Sequence, residues 1–429
     1  MTYDVIVVGG GITGLVSSFY LTLRGKRVLL LEKNPRWGGN IKTYSDGRYT
    51  FEEGPQTILA NSPAVWDLVR RLNAPVCKAN PSSQLRFIYK REKLIPIPLK
   101  PWEFFTSPLV GFKAKVKLLK EFFVKPSQKE DESVAEFTIR HFGEEFLKYF
   151  IQPFVSGIYA GDSKKLSVRY AFPKLYEIER RYGSLLKAFL KERRVAPKGE
   201  LISFAGGLST LIKLLAEKVK EKRLQTEVLS VEKSGNLYKV KTNAGNYYSR
   251  KVVLTTPAYI TAKLLGKIFP PAKELEKITY PRVAVVSLSF PKIGLRGFGF
   301  LNAEGLKILG AIFVSSLFEN RCPPEEDCVS VFLCGETQEE VCRLGEGEIL
   351  KLAKGEIEKV FPQIGEFRFE KVTLWERSIP QYTLGYGKFY KIEEELKKKE
   401  PNLFIAGNFF GGSSLAKCIE KGKKLGESL

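Results

Sequence analysis

The residues best spaced for chemistry lie close to the N-terminus, and what their spacing suits is the holding of a phosphate. Gly9, Gly11 and Gly14 stand in the G-x-G-x-x-G register within Gly9-Gly10-Gly11-Ile12-Thr13-Gly14, directly after the apolar run Tyr3 to Val8. In that register the first glycine makes a tight turn and the second lets backbone approach a pyrophosphate. The third lets a helix pack closely on its strand. Ile12 to Leu23 has helical apolar spacing, Gly25 is placed to stop that helix, and Arg27 to Leu31 reads as a second buried strand. The strand ends in Glu32, eighteen residues after Gly14, where an acid binds a ribose hydroxyl and repels a 2′-phosphate. The helix N-terminus at Ile12 and Thr13 would offer free N–H groups to the anion. These residues together predict a strand-helix-strand unit that binds a dinucleotide.

Other chemistries find little to work with. The chain has a single histidine, His141, and it lies outside every motif named here, which argues against a histidine-based catalytic triad. His141 falls in an amphipathic helix read over Phe137 to Phe150 and is taken as structural. The six cysteines include no Cys-x-x-Cys pair and have no histidine near them, so no metal site is expected. Cys322 and Cys328 are read as reduced thiols. The reaction must then come from the bound cofactor, with the protein supplying position and environment.

The elements that position these groups need a large frame. With 429 residues, 44% of them hydrophobic, the chain can bury a substantial core in two or three lobes. A net charge of +22 suits nucleic acid, anionic lipid or an acidic substrate. No apolar run approaches the ~18 residues that cross a bilayer, and no secretory signal is read at the start. A cytoplasmic protein is expected, with any membrane contact made from one side.

Further motifs carry a resemblance. Glu32-x-x-x-Arg36-x-Gly38-Gly39 and the turn Gly54-Pro55 resemble the FAD-dependent amine oxidase superfamily. So do the strand pair read over Gln225 to Lys233 and Tyr238 to Lys241, and the C-terminal strand and turn Asn402 to Asn408 with a helix read over Ser413 to Gly422. The segment Pro153-Phe-Val-Ser-Gly157-Ile-Tyr159-Ala-Gly161-Asp162 is similar to one found in the oxygen-dependent protoporphyrinogen oxidases. Phe172-Pro173, Phe204-x-Gly206-Gly207-Leu208 and Ile379-Pro380-Gln381-Tyr382 add to that likeness, which runs nearly end to end.

The resemblance implies an α/β fold: a Rossmann-type FAD-binding lobe, a substrate lobe built on a mixed or antiparallel sheet, and an inserted helical membrane-binding lobe. The boundaries expected are 1–80, 200–265 and 390–429 for the FAD lobe, 81–95 and 266–389 for the substrate lobe, and 96–199 for the helical lobe. FAD would be held by Gly9, Gly11, Ile12, Thr13, Gly14, Glu32, Lys33, Arg36, Gly38, Gly39 and Asn40. Gly54, Pro55, Gln56, Thr57, Val228, Gly407, Asn408, Ser414, Leu415 and Ala416 would complete its site.

The implied activity is oxidation of protoporphyrinogen IX to protoporphyrin IX in haem biosynthesis, by three hydride transfers to the flavin and reoxidation by oxygen. Coproporphyrinogen III oxidation is the alternative, with an amine oxidase or carotenoid desaturase beyond it. Arg86 would bind a propionate, Leu301 and Ile312 would sandwich one pyrrole, and Phe332 would stack on another. Gly157 would leave room for the macrocycle beside the flavin. One departure is plain: Gln56 and Thr57 follow Pro55 where many relatives carry a basic residue.

A basic amphipathic helix read over Gly111 to Lys125 puts Phe112, Val116, Leu119, Phe122 and Phe123 on one side and Lys113, Lys117 and Lys120 around the other. The expected partners are a porphyrinogen, an anionic membrane surface at the inner face of the cell membrane, and a second copy of the chain. No nucleic-acid motif is present.

Overall fold

A computed structural model describes residues 2–98, 100–192 and 199–429. Residues 193–198, most of the exposed return loop read from Lys191 to Gly199, lie outside the described residues. The fold is a mixed α/β arrangement of two seven-stranded sheets and a group of helices.

The first sheet runs Glu221–Arg223, Val28–Leu31, Thr2–Val8, Gly245–Leu254, Leu237–Thr242 and Val228–Ser234, with Leu403–Ile405 parallel to the far half of Gly245–Leu254. Its central strands are apolar at nearly every position because both faces are covered. Ile6, Val8, Leu29, Leu31, Val252 and Leu254 enter one core, while Val5, Val7, Val28, Leu30 and Val253 enter the other. The first helix spans Ile12–Leu23, as its spacing predicts. The C-terminal helix runs Leu415–Ser428, further than the Gly422 end read from sequence. Its glycines face the first helix: a Cβ at Gly422 would lie 2.8 Å from the Thr13 carbonyl oxygen, and one at Gly426 would lie 2.4 Å from the Tyr20 Cβ.

The second sheet runs Phe369–Trp375, Val283–Pro291, Glu326–Cys334, Gly310–Phe313, Gly299–Asn302, Arg86–Lys90 and Lys93–Pro96. Gly299–Asn302, Gly310–Phe313 and Glu326–Cys334 are successive antiparallel strands. Arg86–Lys90 pairs parallel with Gly299–Asn302, which the sequence does not announce. One face, with Phe300, Ala311, Val331 and Val286, forms a core against Ile349, Ala353 and Ile357 of the helix Glu346–Val360. On the other face Phe369 stacks on Phe51, beside the strand pair Thr43–Ser45 and Thr50–Glu52, and Phe51 stacks on Tyr49.

The intervening segment is helical, with three departures from the sequence reading. The basic helix spans only Phe112–Lys120 and tightens into a 3₁₀ turn, Glu121–Phe123. Lys117 turns inward and donates to the Ile139 carbonyl oxygen at 2.6 Å. The helix bearing His141 is Val134–Phe142, and Gly143 ends it at φ 90°, where a side chain would be strained.

His141 itself is fully buried. It bridges Glu121 at 2.7 Å and Glu179 at 3.0 Å, and Arg140 pairs with Glu179 and Glu132 at 2.6 and 2.5 Å. Glu121 also accepts from Ser184 Oγ and from the N–H groups of Leu185 and Leu186. One histidine thus ties the end of the basic helix to two others. Burial by itself pushes the imidazolium down, but its hydrogen bonds to Glu121 and Glu179 raise it above the ordinary histidine range.

A raised folded value means the stabilisation is fully present below the unfolded value of ~6.5 and fades as pH rises through the folded one. His141→Gln should therefore cost about 3 kcal/mol near pH ~6, and less near pH ~9. Urea unfolding of both proteins at both pH values checks this, and an equal cost at the two would contradict it.

Candidate functional site

The glycine turn forms at the carboxyl ends of Thr2–Val8 and Val28–Leu31, the end of a parallel sheet where ligands gather. Gly9 has φ 106°, and a Cβ at Gly14 would lie 2.0 Å from the Gly9 carbonyl oxygen. At Gly11, by contrast, a Cβ would meet nothing within 4 Å, so this backbone faces open space. No side chain caps the helix that starts at Ile12. The first sheet thus offers uncapped backbone donors beside buried Ile12 and Thr13.

A second glycine loop closes on the first. Gly38 N–H donates to the Gly10 carbonyl oxygen at 2.8 Å, and a Cβ at Gly39 would sit 3.4 Å from the Gly11 Cα. Arg36 holds this loop from behind, donating to the Gly39 and Ile41 carbonyl oxygens at 2.6 and 3.0 Å. Burial lowers the Arg36 guanidinium, with Glu53 and Glu32 opposing. Its role here is loop geometry.

Glu32 is buried at the strand end. Its carboxylate accepts from the Gly10 N–H at 2.7 Å and from Asn34 N–H and Nδ2 at 2.8 and 2.7 Å. Lys33 is exposed beside it, and Asn40 reaches across to the Ser378 carbonyl oxygen at 3.1 Å.

The remaining predicted cofactor residues fall around the same sheet end. A Cβ at Gly54 would lie 2.2 Å from the Asn40 carbonyl oxygen, so the turn with Pro55 and Thr57 presses on the second loop. Gln56 donates to the Glu52 and Gly54 carbonyl oxygens. Val228 is buried at a bulge. A Cβ at Gly407 would overlap the Phe409 ring at 2.1 Å, and Asn408 follows. Ser414 caps the last helix through Lys417 N–H, with Leu415 and buried Ala416 in its first turn. Sequence reasoning missed Lys421, which donates to the Gly407 carbonyl oxygen at 2.7 Å and to that of Phe410, and Thr255, whose hydroxyl donates to the Gly9 carbonyl oxygen at 2.9 Å. Thr255 reaches its partner from far along the chain, and Lys421 reaches back from within the last helix.

These features fit a dinucleotide cofactor. Close backbone approach occurs at Gly9, Gly14, Gly38, Gly54 and Gly407, the one open glycine lies at the helix start, and a buried acid stands at the ribose position.

Beside this cradle lies the inner face of the second sheet. Directly opposed residues share a face, so Arg86, Gly299, Ile312, Ser330, Ser287 and Lys371 form one row. Leu301, Gly310, Phe332, Val285 and Thr373 form the next row on the same face. Arg86, Leu301, Ile312 and Phe332 are therefore brought together on one surface. Leu301, Ile312 and Phe332 are half-buried within otherwise buried strands.

The helix Gln152–Tyr159 covers this face, with Phe154, Gly157 and Ile158 on its open side. A Cβ at Gly157 would lie 2.4 Å from Leu301 Cδ2. The room expected beside Gly157 is thus taken by the Leu301 side chain, because helix and strand pack there with only a glycine between them. Gln56 and Ile312 line one narrow cavity with Glu52 and Arg321, so cofactor turn and sheet face meet.

Electrostatics separate the cations on this face. Lys371 pairs with Glu53 at 3.4 Å. Arg86 has no carboxylate partner among the described residues; its guanidinium lies 4.8 Å from the Phe298 ring centre. It is open to solvent yet set among protein atoms, and desolvation alone lowers its value. Glu52, also missed from sequence, is pushed up to about 7 by burial, although Thr43 and the Leu208 N–H donate to it. Gly207 lets that turn close, since a Cβ there would lie 2.8 Å from Glu52 Oε1.

Gly14→Ala forces a methyl group into a backbone carbonyl that cannot step aside, so FAD affinity should fall by tenfold or more. Titration of the refolded variant with FAD, followed by flavin fluorescence, checks this; unchanged affinity would contradict the placement.

The sequence profile of the family described as flavin containing amine oxidoreductase matches residues 12–425. Protoporphyrinogen oxidase 1 of Spinacia oleracea chloroplasts is 30% identical, over 97% of this chain and 82% of its own length. Coproporphyrinogen III oxidase of Bacillus subtilis (strain 168) is 27% identical, over 98% of this chain and 96% of its own. A solved structure from Exiguobacterium sp. 255-15 superposes with a TM-score of 0.86 at 24% identity, covering 100% of this chain and 98% of that one. A match that begins at the first helix and ends in the last takes in Gly14, the second glycine loop and the C-terminal turn, and the chain belongs to the flavin-containing amine oxidoreductase family, an oxidoreductase whose cofactor is FAD.

Proposed function

We propose that the chain oxidises protoporphyrinogen IX to protoporphyrin IX, a six-hydrogen change made in three two-electron steps. FAD, when bound, supplies the two-electron acceptor, and oxygen restores it. The observation that carries this reading is the shared face: aliphatic Leu301 and Ile312, aromatic Phe332 and an Arg86 with no carboxylate partner among the described residues on one surface, which adjoins the glycine cradle through Gln56. A flat, apolar macrocycle with carboxylate arms needs such apolar walls and a cation at the rim. Arg86 would grip a propionate through two parallel hydrogen bonds. Leu301 would leave its contact with Gly157 to lie against the ring. The names of the spinach and Bacillus relatives support a porphyrinogen as the substrate class.

Membrane attachment belongs to the same proposal, since the substrate is greasy. Phe112, Phe123 and Leu119 are 80%, 79% and 61% exposed, and Leu190 on the neighbouring helix Leu185–Glu192 is 68% exposed. Lys113 and Lys120 stand exposed among them. Apolar side chains ringed by lysines suit a one-sided contact with anionic headgroups at the inner face of the cell membrane. Among the described residues no helix is long and apolar enough to cross a membrane.

A side-by-side assay with protoporphyrinogen IX and coproporphyrinogen III, followed by porphyrin fluorescence, tests the substrate. Faster turnover of the first supports the proposal, and activity on the second alone overturns it. Arg86→Ala should raise KM about tenfold or more while FAD stays bound; an unchanged KM removes Arg86 from the site. Lys113→Glu with Lys120→Glu should abolish co-sedimentation with phosphatidylglycerol vesicles, and retained sedimentation would contradict the membrane face.

A further inference from the structure

Oxidation of a porphyrinogen removes six hydrogens, and when three leave as hydride the other three leave as protons. Leu301, Ile312 and Phe332 cannot accept a proton, and Arg86 is already a cation. The narrow cavity that Gln56 and Ile312 share leads to a group that can. Its volume is about 10 Å³, room for one water, and Glu52 and Arg321 line it too. Each of these two side chains belongs to a residue only 5% exposed. Arg321 Nη2 donates to Ser203 Oγ and to the Phe204 carbonyl oxygen at 2.9 and 3.2 Å. Arg321 Nη1 stands 3.9 Å from Glu52 Oε1, too far for a direct hydrogen bond and suited to a shared water.

The two oxygens of Glu52 have different neighbours. Oε1, the one near Arg321, accepts from the Leu208 N–H at 2.7 Å. Oε2 accepts from the Thr43 hydroxyl at 2.7 Å, and Thr43 is half-exposed at the start of the strand Thr43–Ser45. One carboxylate thus joins the buried cavity to a hydroxyl at the surface. The other charge beside it is Glu53, itself paired with Lys42 at 2.6 Å and Lys371 at 3.4 Å, and Cys77, which opposes Ser203, acts on Arg321. Burial pushes the Glu52 carboxyl up to about 7, against Thr43, the Leu208 N–H and Arg321, which suits a group that both takes and releases a proton near neutral pH.

We infer that Glu52 accepts protons from the porphyrinogen through one water in this cavity and returns them to solvent past Thr43, an assignment that rests on a porphyrinogen being the substrate. In such a step a C–H bond of a methylene bridge breaks, and its electron pair leaves with the hydride for FAD. A pyrrole N–H bond breaks as well, its electron pair staying on the nitrogen. That proton passes to the water, and the water gives one of its own to Glu52 Oε1. The substrate has then lost one hydride and one proton. Glu52 is reset when a proton passes to the Thr43 oxygen and the Thr43 hydroxyl gives its own to solvent.

The test assays the FAD-loaded protein across pH with the porphyrinogen that it oxidises faster. Wild type should lose kcat/KM as pH falls through about 7, since a protonated Glu52 has no room for another proton. Glu52→Gln should abolish that limb and lower kcat about 100-fold, with KM and FAD affinity kept. Thr43→Val should lower kcat and move the limb to higher pH, because the Thr43 hydrogen bond favours the ionised carboxylate, and Thr43→Ser should restore both. Infrared difference spectra of the FAD-loaded protein without substrate should show a carboxyl band that titrates over the same range and is missing in Glu52→Gln. Wild-type turnover without the limb, a limb that survives Glu52→Gln, or a Thr43→Val profile that matches wild type would each overturn the assignment and leave the substrate proposal standing. No turnover of either porphyrinogen by the wild type would remove both.

Discussion

Two adjacent side chains hold the halves of this site together. Gln381 donates through Nε2 to the Tyr159 carbonyl oxygen at 2.8 Å, and Tyr382 donates through its hydroxyl to the Asn408 carbonyl oxygen at 2.6 Å. Tyr159 ends the helix that covers the sheet face, and Asn408 sits on the turn after the last strand of the first sheet. Tyr382 is fully buried, so its hydroxyl has no water to turn to, and losing that acceptor would leave a polar group stranded. Gly161 belongs to the same lock, because a Cβ there would lie 2.4 Å from Gln381 Oε1. The distance between the cofactor turn and the wall of the sheet is set by this pair.

Around that tie, the molecule spends its glycines where backbones must touch and its charges where helices must stay put. Gly14 and Gly54 each stand where a methyl group would collide with a backbone carbonyl oxygen. A further buried ion network lies away from the cradle, where Glu121, His141, Glu179 and Arg140 anchor the helical segment. Between Arg86 and Lys371 the sheet face near the cradle carries Leu301, Ile312 and Phe332, apolar walls that suit chemistry supplied by a cofactor.

Much of the nucleotide-binding unit was legible because its signals are local. Apolar periodicity set the first helix at Ile12–Leu23, and the glycine register marked the turn that the helix starts from. The common face of the strands bearing Leu301, Ile312 and Phe332 follows from cross-strand register, which period-two patterning does not encode. Arg86 reaches that face only through a parallel pairing with Gly299, far along the chain. Lys117 reads as a solvated lysine on a basic helix, yet it satisfies a carbonyl of a neighbouring helix. The end of the helix at Gly143 was within reach of sequence, since glycine so often takes a positive φ there. Glu52 and Lys421 were not, because each acquires its partners through tertiary contact.

The most direct measurement is anaerobic. Protoporphyrinogen IX is mixed with the FAD-loaded protein while flavin and porphyrin absorbance are followed together. The expected result is bleaching of the flavin in step with porphyrin formation, and recovery of the colour when oxygen is admitted. A protein that takes up no FAD, or a bound flavin that stays oxidised in the presence of the porphyrinogen, would contradict a cofactor cradle that opens onto the sheet face.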